Sequence, residues 1–280
     1  MFVCSREIGE VRALIGVVLT KDLCAVKMDE AKVLADQLGF ELQAAATVVA
    51  PEAMVGALQL ELYFDRCWHV RRAGDKHGIT LDFEYGSAMV RVASQSLSRE
   101  RLVRAVLGRQ LSASEVSVVD ATAGLGRDSL MLAAVGCRVQ LVERHPLLAG
   151  LLEHAVTSAR YSKQSILAAA ALRMHVAHGD SCQWLLQRES PPDVVYLDPM
   201  FEFARGSAAS KKEMTFLKLL HAGDSSDNDA ALLNTALRVA VKRVVVKRIP
   251  SAAWLAGEKP SYVLEGKTVR FDVYVLASER

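Results

Sequence analysis

From about residue 98 onward, the apolar positions of the chain follow two alternating rhythms. Short, nearly continuous apolar runs at 116–120, 138–142, 174–177, 194–197 and 244–246 read as strands buried on both faces. Between and after them, 101–107, 127–135, 146–160, 181–187, 211–220 and 230–240 carry apolar residues at helical spacing. Ser98 is placed to cap the first of these helices and Gly108 to end it, while Pro146 sits in the first turn of another. Residues 263–264 and 270–276 suit a closing hairpin around Gly266. Strands alternating with helices predict an α/β fold with a mostly parallel, seven-stranded sheet and helices on both of its faces. The hairpin would add antiparallel strands at one edge.

Residues 1–95 have a different texture. Positions 29–38 show helical spacing, and 79–85 alternate as a half-buried strand would, with Gly74, Gly78 and Gly86 as punctuation. The expected organisation is a small mixed α/β N-terminal region over 1–95 and a larger domain over 96–280.

Composition narrows the picture without deciding it. Of 280 residues, 51% are apolar and 24% charged, which is ordinary for a globular protein. A formal net charge of +2 implies no nucleic-acid partner by itself, so any such partner needs a local basic patch. Cys4, Cys24, Cys67, Cys137 and Cys182 are scattered without a CxxC pair, which speaks against a zinc site or a disulfide framework and for a reducing compartment. The apolar run 13–19 is too short to span a bilayer, and Glu7 and Glu10 precede it with no A-x-A site after it. The expectation is a cytoplasmic protein with no membrane segment and no metal.

The chemistry-bearing residues gather where strands end. The first strand runs into VVDATAGLGRDSL, 118–130, which puts Gly124 and Gly126 where a strand turns into a helix and lets backbone approach a ligand closely. A dinucleotide fingerprint would need a third glycine where Ser129 stands. Asp120 and Asp128 flank the turn; they would repel a pyrophosphate and suit a ligand carrying positive charge. Glu143 ends the second strand, where an acid can hydrogen-bond ribose hydroxyls. Asp180 and Ser181 end the third, and suit either the cap of the next helix or contact with an adenine. Asp198 ends the fourth. Four acids on one edge of a parallel sheet line one crevice, and S-adenosylmethionine, a nucleoside with an amino group and a sulfonium, fits it.

Asp198-Pro199-Met200-Phe201 is similar to the D/N-P-P-Y/F motif of amino-group methyltransferases. An exocyclic amine on a base has its lone pair delocalised into the ring. A carboxylate at Asp198 can accept its N–H bonds and hold that lone pair toward the methyl group. Pro199 fixes the turn and Phe201 can stack on the flat base. Lys247 and Arg248 follow the apolar strand 244–246 and, emerging at the same edge, are candidates for phosphate contact; Lys211 and Lys212 form a second basic pair near the site.

Taken in order, DATAGLGRD, GCRV, VERHP, VVYLDPMF, KKEM, KRVVVKR and RFDVY resemble the bacterial ribosomal RNA small subunit methyltransferase J family over 118–274. The resemblance implies a Rossmann-like class I methyltransferase with a small N-terminal region. It implies methyl transfer from S-adenosylmethionine to the exocyclic N2 of one guanine in 16S rRNA, with the rRNA or the small ribosomal subunit as partner. It also implies a cofactor held by Arg127 and Asp128, Glu143 and Arg144, Asp180 and Ser181, and Asp198. Two departures stand out: Asp180-Ser181 replaces an expected Ser-Ser pair, and Glu202-Phe203-Ala204-Arg205 stands where proline and basic residues are expected. DPMF alone leaves other planar amines open, adenine N6 in DNA or RNA and a protein glutamine amide. An NAD-dependent oxidoreductase would use Glu143 but lacks the third glycine. A non-catalytic RNA-binding protein would have no need of Asp198 and Phe201.

Overall fold

The computed structural model describes residues 2–8, 11–18, 58–65, 67–72, 79–84, 87–108, 112–199, 217, 220 and 226–276. The chain divides into two compact units, Met1–Asp82 with Ser207–Gly223, and Phe83–Gly206 with Asp224–Arg280.

The first unit contains a five-stranded sheet in the order β1-β2-β3-β4-β5: β1 Phe2–Ile8, β2 Val11–Val18, β3 Leu58–Asp65, β4 Cys67–Arg72 and β5 Ile79–Thr80. Only β2 and β3 run parallel; the other neighbours are antiparallel. The apolar run near residue 15 is thus part of a sheet strand. The alternation over 79–85 proves to be a ladder for two residues only, Ile79 opposite Val70 and Thr80 opposite His69. Leu81 and Phe83 stay buried beyond it. Alternation reports which side chains are buried, and burial continues here without strand pairing. The expected helix at 29–38 lies outside the described residues.

The second unit carries a seven-stranded sheet in the order β11-β12-β10-β9-β6-β7-β8. Its strands are β6 Ser117–Asp120, β7 Arg138–Glu143, β8 Met174–His178, β9 Val194–Leu197, β10 Arg243–Arg248, β11 Tyr262–Leu264 and β12 Arg270–Val275. Strands β10, β9, β6, β7 and β8 are parallel, and β12 and β11 form the antiparallel edge expected of the final hairpin. The described helices of this unit are α1 Ser87–Val92, α2 Arg101–Leu107, α3 Arg127–Ala134, α4 Pro146–Arg160, α5 Ser165–Ala171, α6 Ser181–Leu186 and α7 Ser226–Val239.

Strand parity shows that both faces of this sheet are covered. Val195, Leu197, Val244 and Val246 pack with Leu232, Leu233 and Ala236 of α7 in one buried cluster. Tyr196, between two of them, points to the opposite face, where its hydroxyl donates to Asp128 of α3. A strand buried on both sides has no polar face to show, which is why β9 reads VVYL.

Two local expectations change. Ser98 lies inside a 3₁₀ turn, Leu97–Arg99, and Glu100 takes the position before α2 without a side-chain cap bond. Helix α5 was not separated in the sequence, because 165–172 is apolar at nearly every position and gives no period to read. Gly108 does end α2, at φ 64°, and a β-carbon there would clash with the Arg243 guanidinium. The helix expected at 211–220 lies outside the described residues apart from Leu217 and Leu220.

Gly126 opens α3 at φ 67° with its α-carbon against the core; a β-carbon would meet Leu152 Cδ1 at 2.6 Å and Phe83 Cζ at 3.1 Å. Overpacking and a left-handed backbone act together there. We expect Gly126→Ala to lower unfolding free energy by about 2–4 kcal/mol in urea titrations. Gly124→Ala, with φ 51° but only the Thr122 carbonyl oxygen nearby at 3.8 Å, should cost about 1–2 kcal/mol.

Candidate functional site

The sheet changes direction between β6 and β9, since β6 leads outward through β7 on one side while its other neighbour is β9. In open α/β sheets ligands bind at the carboxyl ends of the strands at such a switch. Asp120 ends β6 opposite Tyr196 of β9, and Leu197 lies opposite Val246 of β10, so Asp198, just past β9, comes level with Lys247, which is still within β10.

The turn after β6 is tied down on both sides. Ala121 N–H donates to the Tyr196 carbonyl at 3.0 Å, and Ala123 N–H to the Val142 carbonyl at 3.2 Å. Asp198 N–H donates to Thr122 Oγ1 at 2.6 Å. Gly124 N–H donates to Glu143 Oε2 at 2.9 Å, while His145 N–H takes Oε1 at 2.8 Å. The acid ending β7 thus holds the glycine turn as well as facing the edge. Gly124 leaves open space on its α-carbon and Gly126 does not, so the two glycines of the motif have different duties.

Three carboxylates meet at this edge. Asp120, only 2% exposed, accepts from Ser129 Oγ at 2.5 Å and from Thr122 N–H at 3.2 Å. Asp128 Oδ2 accepts from the Tyr196 hydroxyl at 2.6 Å and from Lys247 Nζ at 2.7 Å, with Arg91 at 4.0 Å from Oδ1. The same Lys247 ammonium donates to Asp198 Oδ2 at 2.7 Å. Burial, with Asp128 and Asp198 as like charges, pushes Asp120 up to about 7 against its two hydrogen bonds. Burial also raises Asp198, helped by the charge on Asp128 and opposed by Lys247. For Asp128 burial is outweighed by Lys247, Tyr196 and Arg91 together, and its carboxyl is held below the usual range. Burial and the surrounding acids keep the Tyr196 hydroxyl protonated far above its ordinary range. Burial would discharge Lys247, but its two carboxylate partners outweigh that and keep the ammonium charged.

The other sequence-derived candidates fall in several places. Glu143 is buried, and burial raises it despite its backbone bonds. Asp180 caps α6, Oδ1 accepting from Gln183 N–H at 2.9 Å, and the buried Ser181 Oγ donates to the Ala121 carbonyl at 2.6 Å. Both belong to the scaffold of the edge as well as lying on it. Arg127 is half-buried in the first turn of α3 and Arg144 is exposed just past β7. Pro199 is buried immediately after Asp198. Lys247 and Arg248 do not stand out toward a phosphate: Lys247 turns inward to the two acids, and the buried Arg248 donates to the Ala253 carbonyl at 2.7 Å. Two buried carboxylates left without a cation would be strongly destabilising, and Lys247 supplies that cation. Phe201, Lys211 and Lys212 lie outside the described residues.

Sequence reasoning missed Thr122, Ser129 and Tyr196 as site residues. Ser129 registered only as a missing glycine and Tyr196 only as core, yet a hydroxyl in an otherwise aliphatic buried strand signals a partner. Among the described residues, no group of three or more His, Cys, Asp or Glu side chains could hold a metal ion, and no helix is long and apolar enough to cross a membrane.

Because its folded-state pKa is raised from 3.8 to about 7, Asp120 favours the fold fully below pH 4, and that contribution is lost as pH rises through 7. In Asp120→Asn the loss disappears. Denaturant titrations at pH 4 and pH 8 should show the variant gaining on the wild type with rising pH, by up to about 4 kcal/mol.

Comparison with known proteins agrees with this geometry. A family model for S-adenosylmethionine-dependent methyltransferases matches residues 54–276. The chain is 46% identical over 199 residues to the ribosomal RNA small subunit methyltransferase J of Thioalkalivibrio sulfidiphilus, covering 70% of this chain and 76% of that one. It is 41% identical over 207 residues to the protein of that name from Neisseria meningitidis, covering 74% and 80%. The crystal structure of a SAM-dependent methyltransferase from Neisseria gonorrhoeae superposes with a TM-score of 0.67 at 27% identity, covering 95% of this chain and 97% of that one. The sheet order, the glycine turn and the acid-lined edge are therefore those of an S-adenosylmethionine-dependent methyltransferase, and the chain belongs to the ribosomal RNA small subunit methyltransferase J family.

Proposed function

We propose that this protein transfers a methyl group from S-adenosylmethionine to the exocyclic N2 of a specific guanine in 16S rRNA. The observation that carries the site assignment is the placement of Asp198. It follows β9 directly, level with Lys247 of β10, its backbone N–H is held by Thr122, and Oδ2 is bound to Lys247. Among the described residues no donor occupies Oδ1, which is left to accept the N–H of an incoming amine. The choice of 16S rRNA and guanine rests on family membership, since any planar amine could satisfy the same oxygen.

The residues present fit the cofactor. A net negative edge of Asp120, Asp128 and Asp198 suits a cation, and the open α-carbon of Gly124 leaves room for close approach. In this reading Glu143 receives the ribose hydroxyls, and Asp180, Ser181, Arg127 and Arg144 are the further cofactor contacts. When bound, S-adenosylmethionine supplies a methyl group already activated on a sulfonium. The protein's task is then alignment. Asp198 takes an N–H of the amine and turns the nitrogen lone pair toward the transfer path. Pro199 fixes the turn, and Phe201 offers a ring for stacking. The target base must be unstacked from the RNA to reach this edge.

The deciding assay compares methyl transfer from labelled S-adenosylmethionine to naked 16S rRNA, assembled small subunits and genomic DNA, each from cells lacking this protein. Label at N2 of one guanine in rRNA or subunits is expected; label only in DNA would overturn the acceptor. Asp198→Ala should lower turnover by about 10²–10³-fold while thermal unfolding stays close to wild type. Glu143→Gln should weaken S-adenosylmethionine binding about tenfold in calorimetry, and an unchanged dissociation constant would remove Glu143 from the ribose.

A further inference from the structure

Lys247 stands in the site in a way that neither a phosphate contact nor a spectator ion pair explains. Its ammonium lies 2.7 Å from Asp128 Oδ2 and 2.7 Å from Asp198 Oδ2, with the side chains only 20%, 16% and 27% exposed. It arrives on the rung of Asp198, one strand away, so the contact comes from sheet register and not from a flexible reach. The Tyr196 hydroxyl, two rungs back along β9, donates to the same Asp128 oxygen at 2.6 Å. A network closed from β9, β10 and α3 therefore sets the direction of the Asp198 carboxylate.

We propose that Lys247 is the positioning residue of methyl transfer: by binding Oδ2 it turns Oδ1 of Asp198 toward the acceptor amine, and by standing between Asp198 and Asp128 it lets both carboxylates carry charge at one edge. This rests on the reading of Asp198 as the oxygen that receives the amine. Two alternative duties fail on the geometry. An ammonium held by two carboxylates stays charged and has no lone pair to act as a base. A phosphate approaching it would meet an ammonium whose N–H bonds are already directed to two carboxylates. Without Lys247, Asp198 would face the charges of Asp128 and Asp120, with Tyr196 and Arg91 on Asp128 and Ser129 and the Thr122 N–H on Asp120 as the remaining donors.

The test compares wild type, Lys247→Met and Lys247→Arg in the full chain by three readouts. The first is kcat and KM for methyl transfer to 16S rRNA or subunits. The second is RNA affinity as a function of salt. The third is the pH titration of the Asp198 carboxyl carbon, followed by NMR on protein labelled at aspartate, which needs no turnover. For Lys247→Met we expect kcat to fall about 100-fold with RNA affinity and its salt slope unchanged, and the Asp198 titration to move to higher pH. Lys247→Arg, which keeps the charge but not the same geometry, should recover part of kcat and most of the titration. If Lys247→Met does not fold, the Arg variant carries the test: wild-type kcat and KM, which would show that charge without the lysine geometry suffices, would overturn the proposal. So would a Met variant with unchanged kcat, or an Asp198 titration unmoved by loss of the cation. Failure of the wild type to methylate guanine would instead overturn the acceptor assignment, and the NMR titration would still decide whether Lys247 governs Asp198.

Discussion

Three carboxylates brought to one sheet edge repel each other, and the architecture of this edge follows from containing that repulsion. Asp128 and Asp198 share the Lys247 ammonium; Asp120, which has no cation partner among the described residues, takes a hydroxyl and a backbone N–H and is pushed toward its neutral form. Burying a charge without a partner costs several kcal/mol, so each acid at this edge comes with its own donors. The donors come from β9, β10, α3 and the turn after β6, so the site exists only when all of these are in place.

The result is an edge that remains net negative after its internal pairing. That is the charge a sulfonium-bearing nucleoside calls for, and the opposite of what a pyrophosphate would need. Ser129 makes the contrast concrete. At the position where a dinucleotide-binding turn would have its third glycine, a buried hydroxyl donates to Asp120 and stabilises the acid in place. The two glycines that remain divide their work, Gly124 open on its α-carbon and held by Glu143, Gly126 closed against Leu152 and Phe83.

Much of the methyltransferase unit was legible in the sequence, because doubly buried strands are written as uninterrupted apolar runs and the edge hairpin as alternation around a glycine. The less legible parts share a physical cause. Helix α5 has apolar residues all round and hides its period. Ser98 looks like a cap, but the chain makes a 3₁₀ turn there and the cap position passes to Glu100. Residues 79–84 keep the burial rhythm of a strand after its hydrogen-bonded ladder has ended at Thr80.

By itself the sequence determined the order of strands and helices, the glycine turn, and the four acids at successive strand ends, since each of these is a local pattern within a few residues. It also carried the family, through motifs in a set order. Only the tertiary structure decided what the charges do. Lys247 meets Asp198 across 49 residues and Asp128 across 119, through the register of β10 on β9 and the placement of α3 on the sheet. A side chain that emerges at a strand end can face water or its neighbours, and no local pattern says which. The choice was made by the two carboxylates that folding placed within reach of its ammonium, which turned an expected phosphate contact into an internal ion pair with both.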